Sequence, residues 1–165
     1  MRRAITHIMC AVAALVAATS CSTNGCLDNQ SAVPRCGFYS SQSKKAVSLD
    51  SITVYAVGVP GDTMLVKCGS GVAQLYMPLD MSCDSTQYVL HYDAELLRDE
   101  RLNDTLTLRY ERVPYFVSSE CGAMYQFNVR GYAFTTNLMD SVVVTTTRFT
   151  NVDSETIQFY MRTSE

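Results

Sequence analysis

The stretch "DTLTLRYE" (residues 104–111) alternates apolar and polar residues without a break. In an extended chain, Leu106, Leu108 and Tyr110 fall on one face, and the residues between them fall on the other. Because successive side chains of a β-strand point to opposite faces, this alternation predicts a strand with one buried face.

Similar patterns recur from residue 34 to the end of the chain. The runs "TQYVLHYD", "MYQFNVRG" and "TIQFYMR" place these residues inward: Tyr88, Leu90, Tyr92, Tyr125, Phe127, Val129, Ile157, Phe159 and Met161. Further runs rich in β-branched and aromatic residues are "RCGFYS", "SITVYAVG", "TMLVKCG", "QLYMPL" and "SVVVTTTRF". Turn signals such as "CGSG", "LDMSCDS", "TTNLMD" and "NVDSE" separate the runs. The helical candidate is the short charged segment "AELLRDERL".

Eight or nine short strands joined by turns predict an all-β fold. We expect a single antiparallel β-sandwich over residues 34–165, and a small lipocalin-like β-barrel is the alternative that the strand count also allows. A chain of this size can bury a sizeable core as one domain.

The first twenty residues have a different composition. Arg2 and Arg3 are followed by an apolar run at 8–18 and then by small residues that lead to Cys21. A membrane-spanning helix needs about 20 apolar residues, and this run is shorter. The order of positive, apolar and small segments is that of a secretory signal.

The segment "AATSC" resembles the lipobox of bacterial lipoproteins, which are cleaved just before a lipid-modified cysteine. The resemblance implies that residues 1–20 are removed, that Cys21 carries the lipid, and that residues 21–33 form a tether to the membrane. The alternative is an ordinary signal peptide with an incidental cysteine.

The charge of the mature chain argues against one class of partner. The full chain has 13 basic and 16 acidic residues, so loss of Arg2 and Arg3 leaves a net charge of −5. Proteins that bind nucleic acids neutralise phosphates with an excess of lysine and arginine. We therefore expect no nucleic-acid partner.

Five further cysteines follow the anchor: Cys26, Cys36, Cys68, Cys83 and Cys121. In an oxidising compartment some of them should pair, and the odd number leaves at least one unpaired within the chain. No C-x₂-C spacing occurs, and the mature chain keeps a single histidine, so we predict neither a metal site nor a cofactor.

The sequence indicates no catalytic residues. His91 lies on the polar side of its strand, and a thiol enzyme would require a cysteine such as Cys36 to lie beside it. The ten tyrosines suggest carbohydrate binding, but the alternation assigns several of them to the core. We therefore predict a protein that is not an enzyme.

Asp followed by Ser or Thr and then an aliphatic residue, Met or Thr occurs five times, more often than the composition explains. This pattern resembles the O-glycosylation motif of Bacteroidota envelope proteins and would place sugars on Ser51, Thr63, Ser85, Thr105 and Ser141. The alternative is structural, since the same dipeptide commonly leads from a turn into a strand.

Three features taken together resemble an uncharacterised family of Bacteroidota lipoproteins, known only as the domain of unknown function numbered 6452. They are the lipobox-like Cys21 with a second cysteine soon after it, the run "DTLTLRYERVPYFVSSECG", and the closing "TNLMDSVVVTTTRFTNVDSETIQFY". The resemblance implies a disulfide between Cys26 and Cys121 and brings no known activity.

The other three cysteines are harder to assign. Cys68 and Cys83 flank "CGSGVAQLYMPLDMSC" and are the tentative second disulfide, which would leave Cys36 free. Pairing of Cys36 with Cys68 or Cys83 stays open.

These features favour a lipid-anchored, non-enzymatic module of the cell envelope that binds a protein or another envelope component. A glycan- or small-ligand-binding module is the alternative, and an envelope hydrolase or thiol enzyme is a third hypothesis. The segment "CSTNGCLD" lacks acidic residues close behind Cys21 of the kind that accompany surface export in these bacteria. We therefore expect an outer-membrane lipoprotein that faces the periplasm.

Overall fold

The computed structural model describes residues 32–58, 64–118 and 122–162. The predicted signal peptide, almost all of the tether, and Cys21, Cys26, Thr63 and Cys121 lie outside the described residues. The predicted lipidation and the Cys26–Cys121 disulfide therefore stay predictions. In the described part of the chain, no helix is long and apolar enough to cross a membrane.

The described residues form ten strands and two short 3₁₀ helices. The strands are β1 (Arg35–Ser40), β2 (Ile52–Val57), β3 (Met64–Gly69), β4 (Gln74–Tyr76), β5 (Ser85–Tyr92), β6 (Asp104–Ser118), β7 (Gly122–Phe134), β8 (Met139–Val144), β9 (Arg148–Phe149) and β10 (Glu155–Met161). The 3₁₀ helices, Glu95–Leu97 and Glu100–Leu102, occupy the predicted helical segment between β5 and β6.

The strands form two sheets that pack against each other. The small sheet has the order β4-β1-β10-β8, and the large sheet has the order β3-β2-β5-β6-β7-β9. The predicted all-β fold is confirmed. Neighbouring strands are antiparallel except β1 and β10, which pair in parallel and so join the first and last strands of the domain.

The alternating pattern identifies the core in most strands. Leu106, Leu108 and Tyr110 are buried, as are the inward residues predicted for β5 and β10. In β7, however, Phe127 is buried while Tyr125 and Val129 are only half-buried. Phe127 lies opposite the buried Phe149 of β9, whereas Tyr125 lies beyond the two residues with which β9 pairs and past the part of β6 that β5 covers.

The run "SVVVTTTRF" does not form one strand. It divides into β8, which pairs with β10 in the small sheet, and β9, which pairs with β7 in the large sheet. The chain changes sheets at residues 145–147, where three consecutive threonines provide no buried side chain.

A fully buried carboxylate holds the connection between β7 and β8. Asp104, the first residue of β6, accepts five hydrogen bonds at 2.7–3.0 Å. The donors are the hydroxyls of Tyr92 and Thr135 and the backbone N–H groups of Asn137, Leu138 and Met139. Because every donor would otherwise need water, Asp104 allows this turn to pack closely against the start of β6.

The inward tyrosines of the large sheet fasten the segment between β4 and β5. The Tyr88 hydroxyl donates to the carbonyl of Pro78 at 2.7 Å, and the Tyr110 hydroxyl donates to that of Asp80 at 2.8 Å. Burial raises the pKa of both phenols, which therefore stay neutral donors. These tyrosines act in core packing, as the sequence pattern predicts.

Candidate functional site

A groove lies on the outer face of the large sheet, beside the connection between β5 and β6. Its volume is about 550 Å³ and it is open to solvent. It is lined by Tyr55, Val89, His91, Glu100, Asn103 and Thr105. The floor comes from three strands, and the 94–103 connection provides Glu100 and Asn103.

The strand register explains why these side chains meet. Val89 of β5 lies opposite Tyr55 of β2 on one side and opposite Thr105 of β6 on the other. Residues directly opposite each other in antiparallel strands have their side chains on the same face. The three side chains therefore form a row across the outer face, and His91 lies two residues further along β5.

His91 is held by two neighbouring polar side chains. Its Nδ1 donates to the Asn103 Oδ1 at 2.8 Å, and its Nε2 lies 3.6 Å from the Asp93 Oδ1. The other Asp93 oxygen accepts from the Thr53 hydroxyl at 2.6 Å. These contacts fix the imidazole at the wall of the groove.

The connection that forms the groove wall also carries an unusual exposed side chain. Leu96, in the first 3₁₀ helix, is 94% exposed. The two arginines that follow it have local partners, because Arg101 pairs with Asp99 and Arg98 donates to the carbonyl of Asp93. The connection therefore presents an apolar side chain to solvent four residues before Glu100.

The three described cysteines are free thiols, so the tentative Cys68–Cys83 disulfide is not formed. Cys68 lies beside Gly69, which pairs with Ile52, and Ile52 pairs with Tyr92 at the end of β5. Cys83 lies just before the start of β5, so the two cysteines lie near opposite ends of that strand. A strand of that length spans about 25 Å, and a disulfide needs Cα atoms within about 7 Å.

Cys36 is also unpaired and lies fully buried in β1 of the small sheet. Burial raises the pKa of its thiol to about 12, so the thiol stays protonated and unreactive. His91 faces outward from the large sheet, so these two residues do not form a nucleophile–base pair. Among the described residues, no group of three or more His, Cys, Asp and Glu could hold a metal ion.

The Asp-Ser/Thr sites differ in accessibility. Ser85 is exposed at the start of β5, whereas Ser51, Thr105 and Ser141 are half-buried. The aspartate before Thr105 is the buried Asp104, which supports the structural interpretation of the motif at that position. Ser85 is therefore the most accessible described site, and its modification stays a prediction.

The groove was not predicted from the sequence. His91 was recognised as an outward residue, but Tyr55, Glu100 and Asn103 come from other elements and share no motif with it. The sequence feature that could have indicated the groove is the mixture of polar and apolar residues at the outward positions of β2 and β5. These residues form a site only when the two strands pair.

The fold and the groove define an all-β domain of two packed sheets with an open, mixed polar and apolar site on its larger outer face. A family model described as "Family of unknown function (DUF6452)" matches residues 51–161, from the start of β2 to the end of β10. The chain belongs to this family. The comparison with curated proteins and the comparison with solved structures both gave no match.

Proposed function

We propose that this protein is a non-enzymatic binding module of the cell envelope that recruits another envelope protein through the groove on its large sheet. Lipid on Cys21 anchors it to the outer membrane, and the domain faces the periplasm. The observation that carries the proposal is the groove itself, since a wall formed by a connecting segment on a rigid sheet is a common arrangement for binding.

The chemistry of the groove suits a protein segment. Tyr55 offers an aromatic ring, and Glu100 and Asn103 offer hydrogen-bonding groups. Leu96 is not in the groove lining, but it is an exposed apolar side chain of the same connection that carries Glu100. Protein interfaces combine apolar contacts with a rim of polar groups in this way. The openness of the groove favours an inserted loop or extended segment over an enclosed small molecule.

The attachment of the tether supports an accessible groove. The backbone N–H of Ala32 donates to the carbonyl of Tyr125 at 2.9 Å, so the chain enters the domain beside the distal half of the β6–β7 hairpin. Tyr125 pairs with Pro114, which lies nine residues along β6 from Thr105 in the groove. That separation corresponds to about 30 Å along the strand, which keeps the groove away from the tethered end.

Anchoring through Cys21 predicts a specific loss on substitution. We expect Cys21→Ser to move the protein from the membrane fraction to the soluble fraction and to abolish labelling with palmitate. Two or more acyl chains anchor a protein stably, while the domain itself has no described span to replace them. Cys26→Ser is the matched control and should remain in membranes. Membrane partition of Cys21→Ser with unchanged labelling would contradict the anchor.

Binding through the groove can be tested by photo-crosslinking in intact cells. A photo-reactive residue in place of Glu100 should yield a discrete adduct with an envelope protein, and the added substitution Tyr55→Ser should reduce that adduct at least about fivefold, because truncation of an interface aromatic costs about 1 kcal/mol or more. The control position is Val152, which is 68% exposed in the loop before β10. The same adducts from both positions, or none from position 100, would refute binding through the groove.

A further inference from the structure

The outer face of the small sheet carries a second cluster of aromatic and polar side chains. Tyr39 of β1 lies opposite Tyr160 of β10, with ring centroids 5.6 Å apart and ring planes inclined by 35°. Tyr76 of β4, which lies opposite Arg35 of β1, is 52% exposed. We call this surface the tyrosine face: Arg35, Tyr39, Tyr76, Glu155, Gln158 and Tyr160.

A glycine in the middle of β1 makes room for a carboxyl group on this face. A Cβ on Gly37 would lie 2.3 Å from the Glu155 Oε2, so the carboxyl group occupies the space that any other side chain would need. Glycine inside a strand weakens it and often marks a place where another group approaches the backbone closely. Here Gly37 lets a carboxylate lie flat on the sheet between the tyrosines.

The hydrogen bonds of Glu155 leave one of its oxygens available. The Tyr39 hydroxyl donates to Oε1 at 2.6 Å, and the Gln158 amide donates to the same oxygen at 2.9 Å. The Tyr160 hydroxyl in turn donates to the Gln158 Oε1 at 3.1 Å. In the described part of the chain, the Glu155 Oε2 accepts no hydrogen bond, so it is a free acceptor held in a fixed position.

The same face also contains a donor without a partner. The Arg35 Nε is buried and makes no hydrogen bond with any described residue, while the Nη1 of this side chain lies 3.4 Å from the Asp153 Oδ1. Buried donors normally have partners, and an internal water is one partner that such an atom takes. A ligand on the face would contact the terminal Nη groups of Arg35, because the Nε lies beneath the surface. The Tyr76 hydroxyl also donates to Asp153, which orients its ring beside Arg35.

The charges on the face cancel. Arg35 pairs with Asp153. Lys44, whose Nζ lies 4.6 Å from the centroid of the Tyr160 ring, and Glu155 add one positive and one negative formal charge, so the four charges sum to zero. A surface without net charge attracts neither anions nor cations over distance. The matching ligand is therefore neutral and must engage aromatic rings and hydrogen-bonding groups together.

From this arrangement we propose that the tyrosine face binds a neutral saccharide. A pyranose ring has an apolar C–H surface that packs on tyrosine, and its equatorial hydroxyls can both donate to the Glu155 Oε2 and accept from Arg35 or Lys44. This site lies on the opposite outer face of the two-sheet domain from the groove. It is independent of the proposed protein partner, and either site can fail without the other.

The test uses the lipidated mature protein in lipid nanodiscs, which avoids sugar-based detergents. Saturation-transfer NMR and calorimetric titration would be performed with cellotriose and triacetylchitotriose, and with trigalacturonic acid as the charged counterpart. We expect at least one neutral trisaccharide to bind with a dissociation constant of about 1 mM or tighter, and the acidic one to bind more weakly.

Two substitutions separate binding from folding. Glu155→Gln keeps an amide oxygen for Tyr39 and Gln158 and replaces the free acceptor with a donor, so we expect affinity to fall at least about fivefold with unchanged thermal unfolding. Gly37→Ala places a methyl group in the space that the Glu155 carboxyl group occupies and should displace it, with a larger loss. Tyr132→Ser removes a tyrosine that is 42% exposed outside this face and should leave binding unchanged.

Three results would overturn the inference. They are the absence of binding by both neutral trisaccharides at millimolar concentration, tighter binding of the acidic one, and equal binding by the parent and the Glu155→Gln variant. If Gly37→Ala does not fold, the isosteric Glu155→Gln variant alone decides the result.

Discussion

Replacement of Asp104 by asparagine is expected to destabilise the protein by about 3–5 kcal/mol, the largest effect of any single polar substitution that we predict. Oδ1 accepts from Thr135 and Asn137, and Oδ2 accepts from Tyr92, Leu138 and Met139. An asparagine amide can satisfy only one of these two groups of donors. The other group would face an NH₂, and its backbone N–H groups would remain buried without an acceptor.

The measurement is urea unfolding followed by circular dichroism, together with thermal unfolding. We expect the melting temperature to fall by about 10–20 °C. Asp99→Asn is the matched control, since Asp99 pairs with Arg101 at the surface, where solvent screens the pair and its loss should change the stability little. A loss of stability for Asp104→Asn no larger than that for Asp99→Asn would show that the carboxylate is not structurally important.

The second large effect is expected for Phe159→Ala, which should cost about 3–5 kcal/mol. Phe159 of β10 lies opposite Phe38 of β1, and the two rings stack with centroids 5.4 Å apart. Both side chains are fully buried. Truncation would remove the apolar contacts of one ring and leave a cavity against the other at the parallel junction of the first and last strands.

Phe116→Ala is the control for the second prediction, because Phe116 is 71% exposed near the end of β6. Its truncation should change the free energy of unfolding by no more than about 0.5 kcal/mol. Equal losses for the two phenylalanines in urea unfolding would mean that the β1–β10 contact does not support the domain. For a domain whose total stability is about 5–15 kcal/mol, the Phe159→Ala variant should also yield less soluble protein.

Local patterns predicted the strands well because burial of one sheet face imposes a period of two on the sequence. The run 104–111 is the clearest case, since all three of its predicted inward residues are buried. The prediction was less accurate for Tyr125 and Val129, which follow the same pattern but are only half-buried, while Phe127 between them is buried opposite Phe149 of β9. The burial of a strand's side chains depends on which strands lie beside it and pack against it, and the strand's own sequence does not specify those neighbours.

The cysteines show the same limit. Cys68 and Cys83 are near each other in the sequence, which made a disulfide plausible, but the order β3-β2-β5 places them at opposite ends of the sheet. Two residues that are close in the sequence can be far apart in space when their strands pair with different parts of the sheet. Membership of the family numbered 6452, by contrast, is carried by the sequence directly, and the family match over residues 51–161 confirms it.

The amino-acid order alone therefore determined the all-β class, most of the inward residues and the core role of Tyr88, Tyr92 and Tyr110, because these depend on local periodicity and on the cost of exposing apolar side chains to water. Only the tertiary structure decided the division of strands between two sheets, the parallel pairing of β1 with β10, and the meeting of Tyr55, His91 and Asn103 in one groove. Those features depend on which strands pair across long stretches of sequence. The free energy of such pairing comes from contacts between distant segments, and the pattern within one segment does not specify its partner.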